Sequence, residues 1–280
     1  MPLNVKAGGS WRTASKVYAK VAGSWVTAKE LWGYMSGGWR SAWKNEIRYI
    51  NTSNRTAASI FELMGSPTQP GNYIFENHAT ISAGTGSFAL RTGAFPAGST
   101  LHIINKGTIQ GRGGNGGNAA VGSATAGAAG GTALHIDFPC SVDNGGGYIL
   151  GGGGGGGGGY SKNFEDGASA AWAGGGGGQG SSGGAAGSGR GELTAATQTA
   201  GTASAAGAYG QGWALASNYW VRSGAGGVAG AAGGAATKSP SVGTGIYAAG
   251  GAAGAAIARN GHTVTITAGN DTTRIKGVVS

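Results

Sequence analysis

Nine consecutive glycines, Gly151–Gly159, run through the middle of this chain and end at Tyr160. Shorter glycine-rich tracts flank them at 111–117, 127–131, 174–180, 183–187, 224–234 and 250–254. Glycine loses more backbone freedom on ordering than any other residue. A chain with 64 of them in 280 residues therefore either stays disordered or packs backbone on backbone where no side chain fits. Glycine and proline at this level suit a floppy linker, but two features oppose that reading. Eight Trp, nine Tyr and six Phe are retained, many of them between the tracts. The glycines also recur at every third residue: Gly111, Gly114, Gly117; Gly174, Gly177, Gly180, Gly183; Gly224, Gly227, Gly230, Gly233.

A period of three is that of the polyproline-II helix, which has no internal hydrogen bonds and rises about 3.1 Å per residue. Such helices gain hydrogen bonds only side by side, with glycine wherever one axis approaches another. Collagen is excluded, because no Gly-X-Y register is sustained and only six prolines are present. The expected fold class is therefore mainly β with a glycine-rich region that is not α/β. It comprises an N-terminal β-meander and β-rich attachment domain, plus a layered polyglycine-II sandwich with end loops. A nine-residue tract would give a layer about 28 Å tall.

Four segments follow. Residues 1–45 repeat with a period of 14, aligning Gly9-Ser10-Trp11, Gly23-Ser24-Trp25 and Gly37-Gly38-Trp39. They read as a β-meander turning at Gly-Ser or Gly-Gly. Trp11, Trp25, Trp32, Trp39 and Trp43 in so small a module form either a docking face for a carrier or a small tryptophan-rich core. Residues 46–110 read as a β-rich module, with strands expected at 46–50, 59–63, 72–75, 87–91 and 101–104. Residues 111–256 hold the glycine tracts, and 257–280 return as strands at 262–267 and 274–279. Within this order Leu134-His135-Ile136 repeats Leu101-His102-Ile103. Asn144–Gly151 (NGGGYILG) likewise echoes Asn105–Gly111 (NKGTIQG) with one residue inserted.

The net charge of +9 is concentrated near the N-terminus: residues 1–60 hold nine Lys/Arg against Glu30 and Glu46. No nucleic-acid-binding module accompanies it, so docking onto an acidic protein is expected, with no nucleic acid as partner. MPLNVKAGG lacks the apolar core of a signal peptide, and no apolar run is long enough to span a bilayer. Synthesis in a cytoplasm without membrane insertion is the expectation. Lone Cys140 excludes an intrachain disulfide.

Tempting motifs fail on context. Gly111–Gly116 satisfies G-x-G-x-x-G, but about three such matches arise by chance at this glycine content, and no helix follows. Gly180–Gly184 fits G-x-S-x-G without a strand–turn–helix setting. His78, His102, His135 and His262 lack partners at metal-ligand spacing, and Glu165-Asp166 reads as a solvated loop. No enzyme, cofactor or metal site is expected. The remaining signal is aromatic. Segments 160–172, 190–222 and 235–247 carry Tyr160, Lys162, Phe164, Trp172, Tyr209, Trp213, Tyr219, Trp220, Arg222, Lys238 and Tyr247. A thin glycine layer cannot bury tryptophan, so these rings cap the bundle or form a binding surface on its end loops.

GTIQGRGGNGG (107–117), NGGGYILGGGGGGGGGYSKNF (144–164) and the alternating tracts and loops resemble the distal tail-fibre adhesins of T-even-type bacteriophages, over about residues 101–280. The resemblance implies a virion tail-fibre location and a non-enzymatic tip. Its polyglycine sandwich would present receptor-binding loops to a host outer-membrane protein or surface polysaccharide. It also implies an N-terminal domain on a trimeric tail fibre, although the 14-residue repeat departs from the family's usual attachment domain. The competing reading is a purely structural fibre or baseplate cap. An ice-binding bundle would need a secretion signal and flat threonine faces, and a depolymerase would need a catalytic constellation.

Overall fold

The computed structural model describes residues 4–7, 10–13, 17–28, 30–35, 38–44, 46–84, 88–162, 170–189, 193–213, 220–238 and 244–280. The fold is mainly β, with a single four-residue helix among the described residues.

The 14-residue repeat becomes three antiparallel hairpins: Asn4–Ala7 with Ser10–Thr13, Tyr18–Val21 with Ser24–Thr27, and Glu30–Met35 with Gly38–Lys44. The repeat is kept in the backbone register, since Lys6 pairs with Trp11, Lys20 with Trp25 and Tyr34 with Trp39. Two expectations are corrected. Among the described residues the hairpins are separate two-stranded sheets rather than one meander, because each repeat supplies both strands of its own pair. The middle hairpin also turns at Ala22-Gly23 (φ 47° and 85°), with Ser24 already in the strand. A two-residue turn matched to strand twist needs positive φ at both central positions.

From Glu46 onward the chain winds through five coils of a parallel β-solenoid with three faces. The first face stacks Glu46–Asn51, Asn72–Asn77, Thr100–Asn105, Cys140–Asp143 and Val264–Ala268, each parallel to its neighbour. The second stacks Arg55–Thr56, Thr80–Ser82, Thr108–Gln110, Tyr148–Leu150 and Ile275–Lys276. The third stacks Ala58–Ser59, Phe88–Arg91, Thr132–His135 and Ile257–Ala258, and Ile257 bridges Val279. In-register stacking lines up like with like. Phe75, Ile103 and Val142 form one inward column, Ile81, Ile109, Ile149 and Ile275 a second, and Leu90, Leu134 and Ile257 a third, all buried. Each such side chain removed from water contributes about 1.5–3 kcal/mol.

A corner between the first two faces carries a buried asparagine ladder. Nδ2 of Asn51, Asn77 and Asn105 donates to Oδ1 of Asn77, Asn105 and Asn144 at 2.9, 2.9 and 2.7 Å. Arg55 Nε donates to Asn51 Oδ1 at the first coil (2.7 Å), while Nδ2 of Asn144 ends the ladder buried and unpaired.

The expected strand 59–63 is corrected to the helix Ile60–Leu63, because Ser59 caps it by accepting from the Glu62 N–H while Ile60 fills the core. The repeat of Leu-His-Ile is coincidental: His102 stacks on Ser141 in the first face, whereas His135 lies in the third. NKGTIQG and NGGGYILG do occupy equivalent places. Asn105 bonds Asn144 and Thr108 pairs with Tyr148, so the added residue sits in the turn between.

The glycine tracts are two excursions from the corner between the second and third faces. Residues 111–131 interrupt the third coil and 151–256 the fourth, so 132–150, inside the span read as glycine region, belong to the solenoid. The tracts run 111–118 and 125–131, then 151–158, 174–180, 183–189, 197–202, 205–210, 223–229, 232–236 and 248–255.

The nine-glycine tract is their hub. Gly152, Gly155 and Gly158 donate N–H to Gly131, Ala128 and Thr125; Gly153 and Gly156 to Gln179 and Gly176; Gly154 and Gly157 to Ala231 and Gly234. Its carbonyls accept from three further tracts with the same period of three: from Gly114 and Gly117, from Gly254, Gly251 and Ala248, and from Gly230, Gly227 and Gly224. Six neighbours thus satisfy one strand of backbone. A Cβ on Gly155 would lie 1.9 Å from the Asn115 carbonyl oxygen, and those on Gly154 and Gly156 would meet the carbonyls of Gly251 and Gly224.

Three reversals of these tracts rest on the solenoid corner. Ser181 Oγ accepts from Ala83 N–H at 3.1 Å, Gln110 Nε2 donates to the Ala203 carbonyl at 2.9 Å, and Gly230 lies against Lys276 and Gly277. The other ends of the tracts project away from it.

Candidate functional site

At those far ends the tracts pass into short strands, where larger residues return to the sequence. Gly159–Lys162 pairs with Ala170–Ala173 and with Thr244–Tyr247 in one sheet. Leu193–Ala196, Gln211–Trp213, Trp220–Arg222 and Thr237–Lys238 form a second. A hairpin of Ala119–Ala120 with Ser123–Ala124 stands beside them, its turn exposing Val121. Between the two sheets Ala171, Ala173 and Val221 are buried and Tyr247 packs on them. Residues 163–169, 190–192, 214–219 and 239–243 lie outside the described residues.

Most of the expected contact residues gather here. Trp172 is half-buried opposite Tyr160, and Trp213 and Trp220 are half-buried directly opposite each other. Lys162, Arg222 and Lys238 are exposed. The Arg222 guanidinium lies over the Trp220 ring at 4.8 Å and the Tyr209 ring at 5.4 Å, and Lys238 Nζ lies 5.7 Å from the Tyr247 ring centre. Tyr160 differs from expectation: at 8 % exposure it packs within the sheet instead of facing solvent. The Tyr247 hydroxyl is also buried, with no hydrogen-bond partner. Phe164 and Tyr219 lie outside the described residues, as do the side chains of Trp11, Trp25, Trp32, Trp39 and Trp43.

The segment 190–222, read as one loop, is divided by two tracts and a reversal resting on the solenoid. Gln211 and exposed Ile246 escaped the sequence reading. The alternation Gln211, Trp213 and Trp220, Arg222 was the available signal for the first.

Charged groups on the solenoid act as staples. Glu76 accepts from Lys106 Nζ (2.6 Å) and Arg48 Nη1 (2.8 Å) and pairs with His78 Nε2 (2.8 Å). Hydrogen bonds from Lys106 and His78 hold its carboxyl at about 2, against an ordinary 4.5, despite burial acting in the opposite direction. Because the folded value is the lower one, this contribution to stability is complete above about pH 4.5 and is lost as the pH falls towards 2. The gap in melting temperature between wild type and Glu76→Gln should accordingly be widest near pH 6 and close as thermal melts are repeated down to pH 2.5. A constant gap would rule out the ionised carboxylate as its source.

Asp137 joins the second and third coils by a bidentate bond from Arg91, Nε and Nη2 each at 2.9 Å. Burial raises its carboxyl, but Arg91 and the Gly93 N–H outweigh burial and hold it below the usual range. Burial pushes the Cys140 thiol up to about 12, which suits an inert core residue. Among the described residues no cluster of three or more His, Cys, Asp or Glu could hold a metal ion, and no helix is long and apolar enough to cross a membrane.

The family model for the phage tail fibre adhesin Gp38 matches residues 44–279, leaving only the hairpin repeats before it. Among solved structures, the chain is similar to one from the gp37-gp38 adhesin tip complex of the bacteriophage S16 long tail fiber. Identity is 22 % over 85 % of this chain and 83 % of that one, with a TM-score of 0.49. No curated protein matches. A solenoid with two glycine excursions, matched over nearly its whole length by one family model, leads to one assignment: the chain belongs to the phage tail fibre adhesin Gp38 family.

Proposed function

We propose that this adhesin is the receptor-binding tip of its fibre, and that the far end of the glycine tracts meets the host surface, an outer-membrane protein or a surface glycan. The supporting observation is the gathering of aromatic and cationic residues at the one end of the tracts that does not rest on the solenoid. On this reading the tracts form a polyglycine-II sandwich, supported by hydrogen bonds that return to the same neighbour every third residue. Rigidity is its contribution, since each central N–H and C=O is already bonded before a receptor arrives.

The N-terminal hairpins mount the tip on a trimeric tail-fibre protein. Residues 1–60 carry the basic excess, and isolated two-stranded hairpins are marginal in water and gain from a partner surface. Trp11, Trp25, Trp32, Trp39 and Trp43 are the proposed contacts, and chemistry by the tip itself forms no part of the function.

Exchange of residues 160–247 with those of another family member tests the assignment. Host range should follow the exchanged segment in adsorption assays across bacterial strains. A host range that stays with the rest of the chain would leave a structural cap as the better description.

A further inference from the structure

The outward face of the four-stranded distal sheet is more organised than a cap requires. Alternate residues of a strand share a face and directly opposed residues lie side by side. Trp213 opposes Trp220 and Gln211 opposes Arg222, so these four stand together, while Val221 points to the buried side with Ala171 and Ala173. Gln211 is itself buried (8 % exposed), and its Oε1 accepts from Arg222 Nε at 2.7 Å. With the Trp220 and Tyr209 rings also against it, the guanidinium is held on three sides. Among the described residues no carboxylate pairs with it, and the two distal sheets carry Lys162 and Lys238 but no described acidic side chain.

A guanidinium fixed through Nε keeps its Nη edge for a planar anion and loses little freedom on binding one. An arginine needed only to cover tryptophan would not require a buried glutamine to orient it. Beside it, half-buried Trp213 and Trp220, opposed across the strands, bring aromatic apolar area of the kind on which the face of a pyranose ring stacks.

We propose that this face binds an acidic saccharide of the bacterial surface, with Arg222 anchoring its carboxylate or phosphate and Trp213 and Trp220 supporting the sugar ring. The proposal rests on the receptor-binding reading and narrows it to a ligand class. It also places recognition on the flank of the tip, on strands that join the glycine tracts, in addition to the end connections.

The test titrates the full-length chain, by indole fluorescence, with core oligosaccharide released from lipopolysaccharide of a strain to which the phage adsorbs. The oligosaccharide is used intact, dephosphorylated and carboxyl-reduced, beside a synthetic peptide rich in Asp and Glu. Saturable binding of the intact sugar is expected, lost with whichever anion is removed and falling as salt rises. Arg222→Gln should weaken it at least about tenfold, the scale of one charge-assisted contact, and Arg222→Lys should recover only part.

Equal affinity of Arg222→Gln, equal affinity for the sugar stripped of both anions, or no sugar binding at all would overturn the proposal. Binding of the peptide in place of the sugar would do the same, and would indicate an acidic protein loop as the ligand. Should Arg222→Gln melt early, the Arg222→Lys variant and the salt dependence decide alone. Failure here with host range still following an exchange of 160–247 would remove the saccharide and leave the tip assignment standing.

Discussion

Gly155→Val is expected to leave the chain unfolded, with no cooperative thermal transition and little soluble protein. A Cβ at this position meets backbone, 1.9 Å from the Asn115 oxygen and 2.4 Å from its carbonyl carbon, so no side-chain rotation relieves the clash. Moving tract 111–118 aside breaks the bonds from Gly114 to Gly153 and from Gly117 to Gly156, and pulls Asn115 from Ala128. Each buried backbone group left unpaired costs about 1–3 kcal/mol. Several lost together rival a whole domain's stability of about 5–15 kcal/mol. Ala185→Val is the matched control, because Ala185 is exposed on an outer tract. A chain that accepts valine at 155 as readily as at 185, by circular dichroism melts, would not contain the packed hub.

Combined replacement of Trp213, Tyr219 and Trp220 by Ala should abolish most host adsorption while the protein still melts cooperatively. The fold should survive because the distal core is made by Ala171, Ala173 and Val221, with Tyr247 against it, and the glycine lattice lies below. Binding should not survive. Aromatic side chains bring about 150–250 Å² of contact each, and loss of one interface anchor costs about 2 kcal/mol or more, roughly thirtyfold in affinity. Adsorption within a factor of two of wild type, in a folded variant, would take these residues out of the contact surface.

The hub was legible in sequence because a central tract needs glycine at every position, which is what 151–159 displays. Outer tracts were harder to see. In 197–210 only the inward-facing places are restricted, and Gly201 and Gly207 are the ones whose Cβ would strike the Gly178 and Thr199 carbonyls. Exposed Thr197, Thr199, Thr202 and Ala208 between them read as loop.

The solenoid was hidden for another reason. Its coils differ in length, and two are interrupted by insertions, so strands that stack in register have no fixed spacing in sequence. The strand segments themselves were found at 46–50, 72–75 and 101–104, but not their parallel order. Ser59–Leu63 shows the limit of a short apolar run, whose pattern suits a strand or one helical turn until the cap and the buried Ile60 decide. For the distal site, residue types were legible, but burial was not. Tyr160 and Trp172 look alike in sequence, yet one is enclosed and the other half-open.

The hub tract also has a consequence for how the chain finds its place. Its bonds repeat every three residues, so sliding it by three would offer each neighbour an identical set of partners. A homopolymer carries no positional information, and the alignment must be decided at its two ends. One is Leu150, in the second-face stack beside Gln110 and Lys276, with Gly151 N–H on the Lys276 carbonyl. The other is Tyr160, opposite Trp172 on one side and Ile246 on the other. The buried tyrosine is thus a phase marker: it sets where along the lattice the glycine tract gives way to the distal strands, and so the level at which those strands pair.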